Sequence, residues 1–449
     1  MRASLVLGAS FAYGVIASPV TSRSAVTAPN LFTSLSNAID NPDTEKGTSA
    51  TMADIVSQLK QNPDKTPKSA HSALSTIEQI MSNGDASSIV DLARDITKAG
   101  LIPEDILSLL DGYLDSEINS LQNQNPVINK SIYPSVAGDA PYSIPEHKLR
   151  SAIYIPDSFS YGRDGKTPVL LVPGTGIPGG TTYYFSFSKL GKTTAADVVW
   201  VNLPRAALSD AQLNSEYVAY AIQYLSALCG GRSVAVIAWS QGNLNTQWAL
   251  KYWPSTRKVV QDLVAMSPDF HGTVERYLVC PALALAVCTP SLWQQGWDTK
   301  FIQTLRTDDG DSAYVPTTTV YSSFDNIVQP MSGPNASARL GDVRNVGVTN
   351  AHLQTVCAGQ PAGGFYTHDG VLYNPLAWAL AIDAITHDGP ASLSRINLAQ
   401  VCQGILWPTL DLKDMLATEG LLLIAVMELL AYQPPALDEP PIKEYTKKK

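Results

Sequence analysis

From about Ile155 onward the chain alternates short apolar runs with stretches of helical spacing, and that alternation restricts its architecture more than any other feature. Residues 169–172, 198–201, 234–238, 263–266 and 318–321 are apolar or β-branched almost throughout, without the polar alternation of a strand that has one wet face. Between them, residues 214–228 and 241–252 have the length and spacing of helices. Strands buried on both faces and joined by helices form a mostly parallel sheet covered on each side. The expected fold class is therefore α/β, with ligand chemistry at the carboxyl ends of the strands.

Residues 18–122 read differently, as a helical N-terminal region in which apolar positions recur at helical spacing: Leu74, Ile77, Met81; Ile89, Leu92, Ile96; Ile106, Leu110, Leu114, Ile118, Leu121. Such a region can be a pro-segment, a cap over a pocket or a surface-binding appendage. Asn, Pro and Gly mark residues 123–150 as a linker. The catalytic domain is expected over 151–435 and a tail over 436–449. Met1 and Arg2, an apolar run to Ile16, and small residues at Val15 and Ala17 predict a signal peptide over 1–17 and a secreted protein. No other run reaches the roughly 18–20 apolar residues of a membrane span, so no transmembrane anchor is expected. Residues 421–430 are about half that length and include Glu428; the stretch 421–432 is either a pocket wall or an ordinary core helix. The 31 Lys and Arg against 40 Asp and Glu leave a net charge of −9 and no basic face, which excludes a nucleic-acid partner. A monomer is expected.

Five cysteines leave at least one unpaired in an oxidising compartment, and Cys229, at the end of an apolar helical stretch, is the expected odd one. Cys280 and Cys288 are close enough for a short-loop bridge, which would leave Cys357 with Cys402, but spacing alone leaves the connectivity open. Asn129 and Asn335 stand in glycosylation sequons.

The most informative segment is Ala238-Trp239-Ser240-Gln241-Gly242, which follows a buried strand and opens a helix. A serine on so sharp a strand-to-helix turn is a nucleophile elbow: small neighbours allow the turn, and the hydroxyl stands clear of the sheet. Ala238 replaces the first Gly of Gly-x-Ser-x-Gly. The Gln241 N–H at the helix start can face an oxyanion, and Pro173-Gly174-Thr175-Gly176, after an earlier strand, can supply a second donor through Thr175. In such hydrolases the acid and then the histidine follow the serine. Asp325, just after the 318–321 strand, and His368, in a glycine-flanked loop before a helical stretch, fit that order. His271 follows the nucleophile helix too soon, and His387 follows a helix rather than preceding one. Asp369 and Asp383 are weaker candidates for the acid, being adjacent to or beyond the histidine. No Cys-x-x-Cys or His-Glu-x-x-His spacing supports a metal, and no cofactor is expected.

Taken together, residues 170–176, 239–242, 267–273, 290–295 and 321–330 and the His368 loop resemble the fungal lipase B family over residues 168–402, roughly half the chain. The resemblance implies an α/β-hydrolase fold and hydrolysis of triacylglycerols or other carboxylic esters, with a lipid or ester substrate as the partner, met in solution or at an oil–water interface. It implies Ser240 as nucleophile, Asp325 as acid, His368 as base, and Thr175 with Gln241 as oxyanion hole. Asp269 and Gln295 match polar residues on the acyl side of that family's pocket, and Trp239 matches the residue bounding its alcohol side. Residues 283–287 match a short mobile helix over the entrance, and Cys357 with Cys402 matches a family disulfide. The chain departs from the family in lacking its early disulfide, with Val199 where one cysteine would stand, and its cysteine-bridged tail. Cys280 and Cys288 are additional and flank the lid-like segment, where a bridge would stiffen it. Two other readings remain open at this stage: a non-lipase carboxylesterase or polyesterase acting on short-chain esters, and an inactive hydrolase fold used for binding.

Overall fold

The computed structural model describes residues 66–83, 89–101, 117–128, 132–193, 195–275 and 288–447. All five predicted strands form: β2 (Thr167–Val172), β3 (Ala196–Val201), β4 (Val234–Trp239), β5 (Val260–Met266) and β6 (Thr317–Tyr321). Two more were not expected, β1 (Ile153–Tyr154) and β7 (Val348–His352). The sheet order is β1-β3-β2-β4-β5-β6-β7, parallel throughout except for β1 against β3. The reason for the all-apolar runs is visible in β2. Val169 and Leu171 enter one apolar core and Leu170 and Val172 the other, so neither face can carry a polar side chain cheaply.

Helices cover both faces. α3 (Ala211–Leu228) and α4 (Gln241–Tyr252) pack on the side of Leu170 and Val172. α5 (Pro375–Thr386), α6 (Leu412–Glu419) and α7 (Leu421–Ala431) contribute to the opposite core. The N-terminal helices α1 (Ala70–Asn83) and α2 (Ile89–Lys98) join that same core through Ala73, Ile77, Ile89, Leu92, Ala93 and Ile96. α2 packs on α7 and α1 on α6. The stretch expected as a linker is folded onto its neighbours. Ser143 and Ile144 donate backbone N–H groups to the Glu216 carboxylate at 2.6 and 3.0 Å, and Tyr142 stacks between Tyr133 and Trp253. Among the described residues no helix is long and apolar enough to cross a membrane.

Cys357 is bonded to Cys402, and Cys229 is a buried free thiol. Cys280 lies outside the described residues; Cys288 is not a free thiol. The signal segment 1–17, the 106–114 helical pattern, the lid-like 283–287 and Asn129 also lie outside them, whereas Asn335 is exposed.

The topology places the chemistry. After β2 the chain runs to β3 on one side and then to β4 on the other, so the loops leaving β2 and β4 meet where the connections diverge. Val172 pairs in register with Ala238, which brings the Gly174 loop alongside Ser240.

Candidate active site

Ser240 sits between β4 and α4 with φ 54° and ψ −133°, a backbone that non-glycine residues rarely adopt and that persists only where the surroundings enforce it. The Ser240 N–H donates to Met266 O at 3.0 Å, and Asn243 Nδ2 bridges the Ser240 and Met266 carbonyls at 3.0 and 3.1 Å. The turn is thus tied to the neighbouring strand. Glycine at 174 is a steric requirement, since a Cβ there would meet Ser240 Cβ at 2.7 Å and the Trp239 ring at 2.8 Å. This close approach carries Thr175 to the elbow. Its hydroxyl lies 2.6 Å from Gln241 Oε1 and 3.1 Å from Gln295 Oε1; with one proton it donates to one of them at a time. Gln295 Nε2 in turn donates to Gln241 Oε1 at 3.0 Å. Thr175, Gln241 and Gln295 are therefore one connected group.

The loop is held from behind by Arg205, Ala206 and Ala207, three consecutive residues at positive φ. That turn aims the Ala206 carbonyl at the Gly176 N–H, 2.8 Å away, and the Ala207 carbonyl at Gln241 Nε2, 3.2 Å away. Arg205 anchors the turn by stacking its guanidinium 3.7 Å from the Tyr432 ring centre and donating to Gln433 O.

His368 Nδ1 lies 2.7 Å from Asp325 Oδ2. The other carboxylate oxygen, Oδ1, accepts backbone N–H groups from Ile327 and Val328 at 2.9 and 2.7 Å, which fixes the acid's orientation. The His368 backbone is clamped as well: Asn326 Oδ1 accepts its N–H at 3.0 Å, and Trp239 Nε1–H and Ser267 Oγ–H donate to its carbonyl at 3.1 and 3.0 Å. The Trp239 ring centre is 5.1 Å from the imidazole. Burial works against a charged imidazolium here, but the adjoining Asp325 carboxylate, joined by Asp369 and Asp269, outweighs it and holds the histidine above its usual pKa. His368 Nε2 is buried and has no hydrogen-bond partner among the described residues.

Ser240 and His368 line one cavity with Thr175, Trp239 and Gln295. Its remaining wall is apolar apart from Asp369: Ile89 from α2, Ile177, Leu292, Ile327, and Leu422, Ala425 and Leu429 from one face of α7. It encloses about 460 Å³ including its mouth. Both readings of the 421–432 stretch hold: Leu422, Ala425 and Leu429 line the cavity, while Leu421, Leu423, Ile424, Val426 and Met427 are buried in the core beside it. Asp269 is not part of that wall. It is fully buried behind it, with both carboxyl oxygens unpaired, and burial pushes its pKa up to about 7.

Of the residues set aside by sequence, Asp369 lines this cavity, whereas Asp383 and His387 lie elsewhere. Asp383 is paired with Arg395 at 2.6 Å, His387 lies beside Asp383, and His352 bonds Ser323 and Thr355 at the end of β7. Sequence reasoning did not find the clamps Asn326 and Ser267, the Arg205 turn or Ile89. Among these, Ser267 and Asn326 lie inside the 267–273 and 321–330 segments singled out in the sequence. No group of His, Cys, Asp and Glu side chains suited to a metal occurs among the described residues.

The chain is 40% identical over 192 residues to Lipase B of Pseudozyma antarctica, a match covering 42% of this chain and 54% of that protein. The chain thus matches about half the length of that relative. Its structure is similar to the crystal structure of Aspergillus fumigatus lipase B, with 57% sequence identity and a TM-score of 0.85 over 93% of this chain and 99% of that one. No family model matches the chain.

Proposed function

Because the chain belongs to the lipase B family and shares its α/β-hydrolase fold, we propose that it is a secreted serine lipase hydrolysing triacylglycerols and other carboxylic esters. The observation that carries this reading is one conjunction. A serine held at a strained elbow and a histidine with its outer nitrogen unpaired share one largely apolar cavity, and the inner nitrogen of that histidine is bonded to a fixed carboxylate.

Ser240 Oγ attacks the ester carbonyl while His368 Nε2 takes its proton. Asp325 keeps the other proton on Nδ1 and stabilises the imidazolium that forms. The backbone N–H groups of Gln241 and Thr175, with the Thr175 hydroxyl turned from its glutamine partners, hold the oxyanion. His368 then protonates the leaving alkoxide. A water molecule, deprotonated by the same nitrogen, attacks the acyl-enzyme and releases the acid. The side chains of Ile89, Leu292, Ile327 and Leu429 suit an uncharged acyl chain and exclude water from it.

The test compares emulsified long-chain triacylglycerol with a soluble short-chain ester, using wild type and Ser240→Ala. Both substrates are turned over by wild type and neither by the variant. Turnover of the soluble ester alone narrows the activity to a carboxylesterase or polyesterase, and a Ser240→Ala enzyme at wild-type rates sinks the assignment. Export is supported by the Cys357–Cys402 bridge, a bond that persists in oxidising compartments. Protein recovered from the medium should begin at Ser18, and a chain retaining Met1 would overturn that part. Asn335, exposed in its sequon, is the described acceptor for glycosylation on that route.

A further inference from the structure

We propose that Asp369 is a specificity-determining residue that hydrogen-bonds a free hydroxyl on the alcohol part of the ester. The enzyme then favours esters of polyols that retain a hydroxyl, such as mono- and diacylglycerols, over esters of apolar alcohols. This rests on the ester-hydrolase reading above and deepens it.

Asp369 is 3% exposed, follows His368 in the chain, and lines the cavity that Trp239, Leu422 and Ala425 also line. The triad does not use it, because His368 Nδ1 is taken by Asp325. The neighbouring donors are also taken. Tyr373 OH and Thr367 Oγ1 point to Glu419 at 2.7 and 3.1 Å, and among the described residues no other side chain donates to the Asp369 carboxyl. A buried carboxyl that no other side chain reaches, set in an apolar wall, works against the fold unless something bound there satisfies it. The other polar groups of the wall, Ser240, His368, Thr175 and Gln295, already belong to the nucleophile, the base and the oxyanion group.

The side of the cavity indicates which part of the substrate is met. His368 Nε2 hands its proton to the departing alkoxide, so the wall next to this histidine faces the alcohol rather than the acyl chain. The carboxyl serves in either protonation state. Burial, reinforced by Glu419 against the opposing pull of His368, holds its pKa well above the usual carboxylate range. Protonated, it donates to the hydroxyl oxygen; ionised, it accepts the hydroxyl proton. An apolar alcohol leaves it unsatisfied, and sites built to bond a substrate hydroxyl reject analogues that lack one.

The experiment compares soluble 1-monobutyrylglycerol with its di-O-methyl analogue, which has the same acyl chain and the same reacting ester but no hydroxyl. The quantity read is the ratio of the two kcat/KM values. Wild type is expected to favour the free hydroxyls by ~10-fold or more. Asp369→Ala brings the ratio to about one, whatever it does to the common rate, whereas Asp369→Asn, whose amide can still donate and accept, keeps most of it. A wild-type ratio near one overturns the proposal. So does an Asp369→Ala enzyme that slows both esters equally, since that marks a residue acting only on His368 or on packing. If the alanine variant fails to fold, the wild-type and asparagine ratios still decide. Failure of wild type to hydrolyse either ester would instead overturn the ester-hydrolase reading itself.

Discussion

Asp325→Asn is nearly isosteric, so it tests electrostatics and tautomer with little change in packing. In the native protein Oδ1 accepts the Ile327 and Val328 N–H groups at 2.9 and 2.7 Å, while Oδ2 faces His368 Nδ1 at 2.7 Å. An asparagine must leave its oxygen toward the two backbone donors, because its NH₂ there would confront two N–H groups and lose both bonds. The NH₂ is therefore forced toward Nδ1, which becomes an acceptor, and the imidazole proton moves to Nε2. A histidine protonated on Nε2 cannot take the Ser240 proton. The geometry is kept and the base is lost, a change that costs on the order of 10⁴ in kcat in serine hydrolases with this triad, or about 5.5 kcal/mol of barrier. Steady-state kinetics on a soluble nitrophenyl ester at pH 8, with circular dichroism to confirm folding, measure it. A folded Asp325→Asn enzyme within tenfold of wild type would refute the argument that Asp325 sets the tautomer.

Two further perturbations follow from particular contacts. At Gly242 an added Cβ would stand 2.5 Å from Val172 O and 2.7 Å from Pro173 O, so Gly242→Ala must push the elbow away from the strand that carries the oxyanion loop. A displacement of this kind costs roughly 10²-fold in kcat, and a variant at wild-type kcat with an unchanged melting temperature would contradict it. Asp262, buried in β5 with Oδ1 unpaired, has its pKa pushed up to about 9, chiefly by burial, with Asp388 and Asp383 adding and Arg395 opposing. Its folded value lies above the unfolded one of about 3.9, so its contribution is complete below about pH 4 and is lost as pH rises towards 9. Asp262→Asn does not titrate, and its melting temperature relative to wild type should rise between pH 5 and pH 9. An offset that is the same at both values would show that Asp262 does not ionise differently on folding.

What could be read in advance follows from which contacts are local. The strands β2 to β6 were legible because both their faces are buried, and the elbow because a strand, a serine and a helix are consecutive in the chain. β7 was not, since Val348-Thr-Asn-Ala-His is an edge strand with little apolar content. Its Asn350 is spent on Thr319 and on both backbone groups of Leu340. Composition marked residues 123–150 as turns, but Gly, Pro and Asn do not report that those turns fold against Glu216 and Trp253. The spacing of Ile89, Leu92 and Ile96 correctly announced a helix, yet nothing local could say that Ile89 faces a cavity whose nucleophile lies about 150 residues away. Chain order favoured Asp325 over Asp369 as the acid. That no other side chain donates to Asp369 on the cavity wall depends on Tyr373 and Thr367 turning to Glu419, a residue far along the chain.

The central claim is that Ser240, His368 and the Thr175–Gln241 pair act as one nucleophilic site. Labelling the folded protein with a fluorophosphonate and mapping the adduct tests it most directly, because the reagent needs an activated serine, a base and an oxyanion hole together. The expected result is stoichiometric modification at Ser240, absent in Ser240→Ala and strongly slowed in His368→Ala. No labelling of the folded wild type, or an adduct on a different residue, would contradict it.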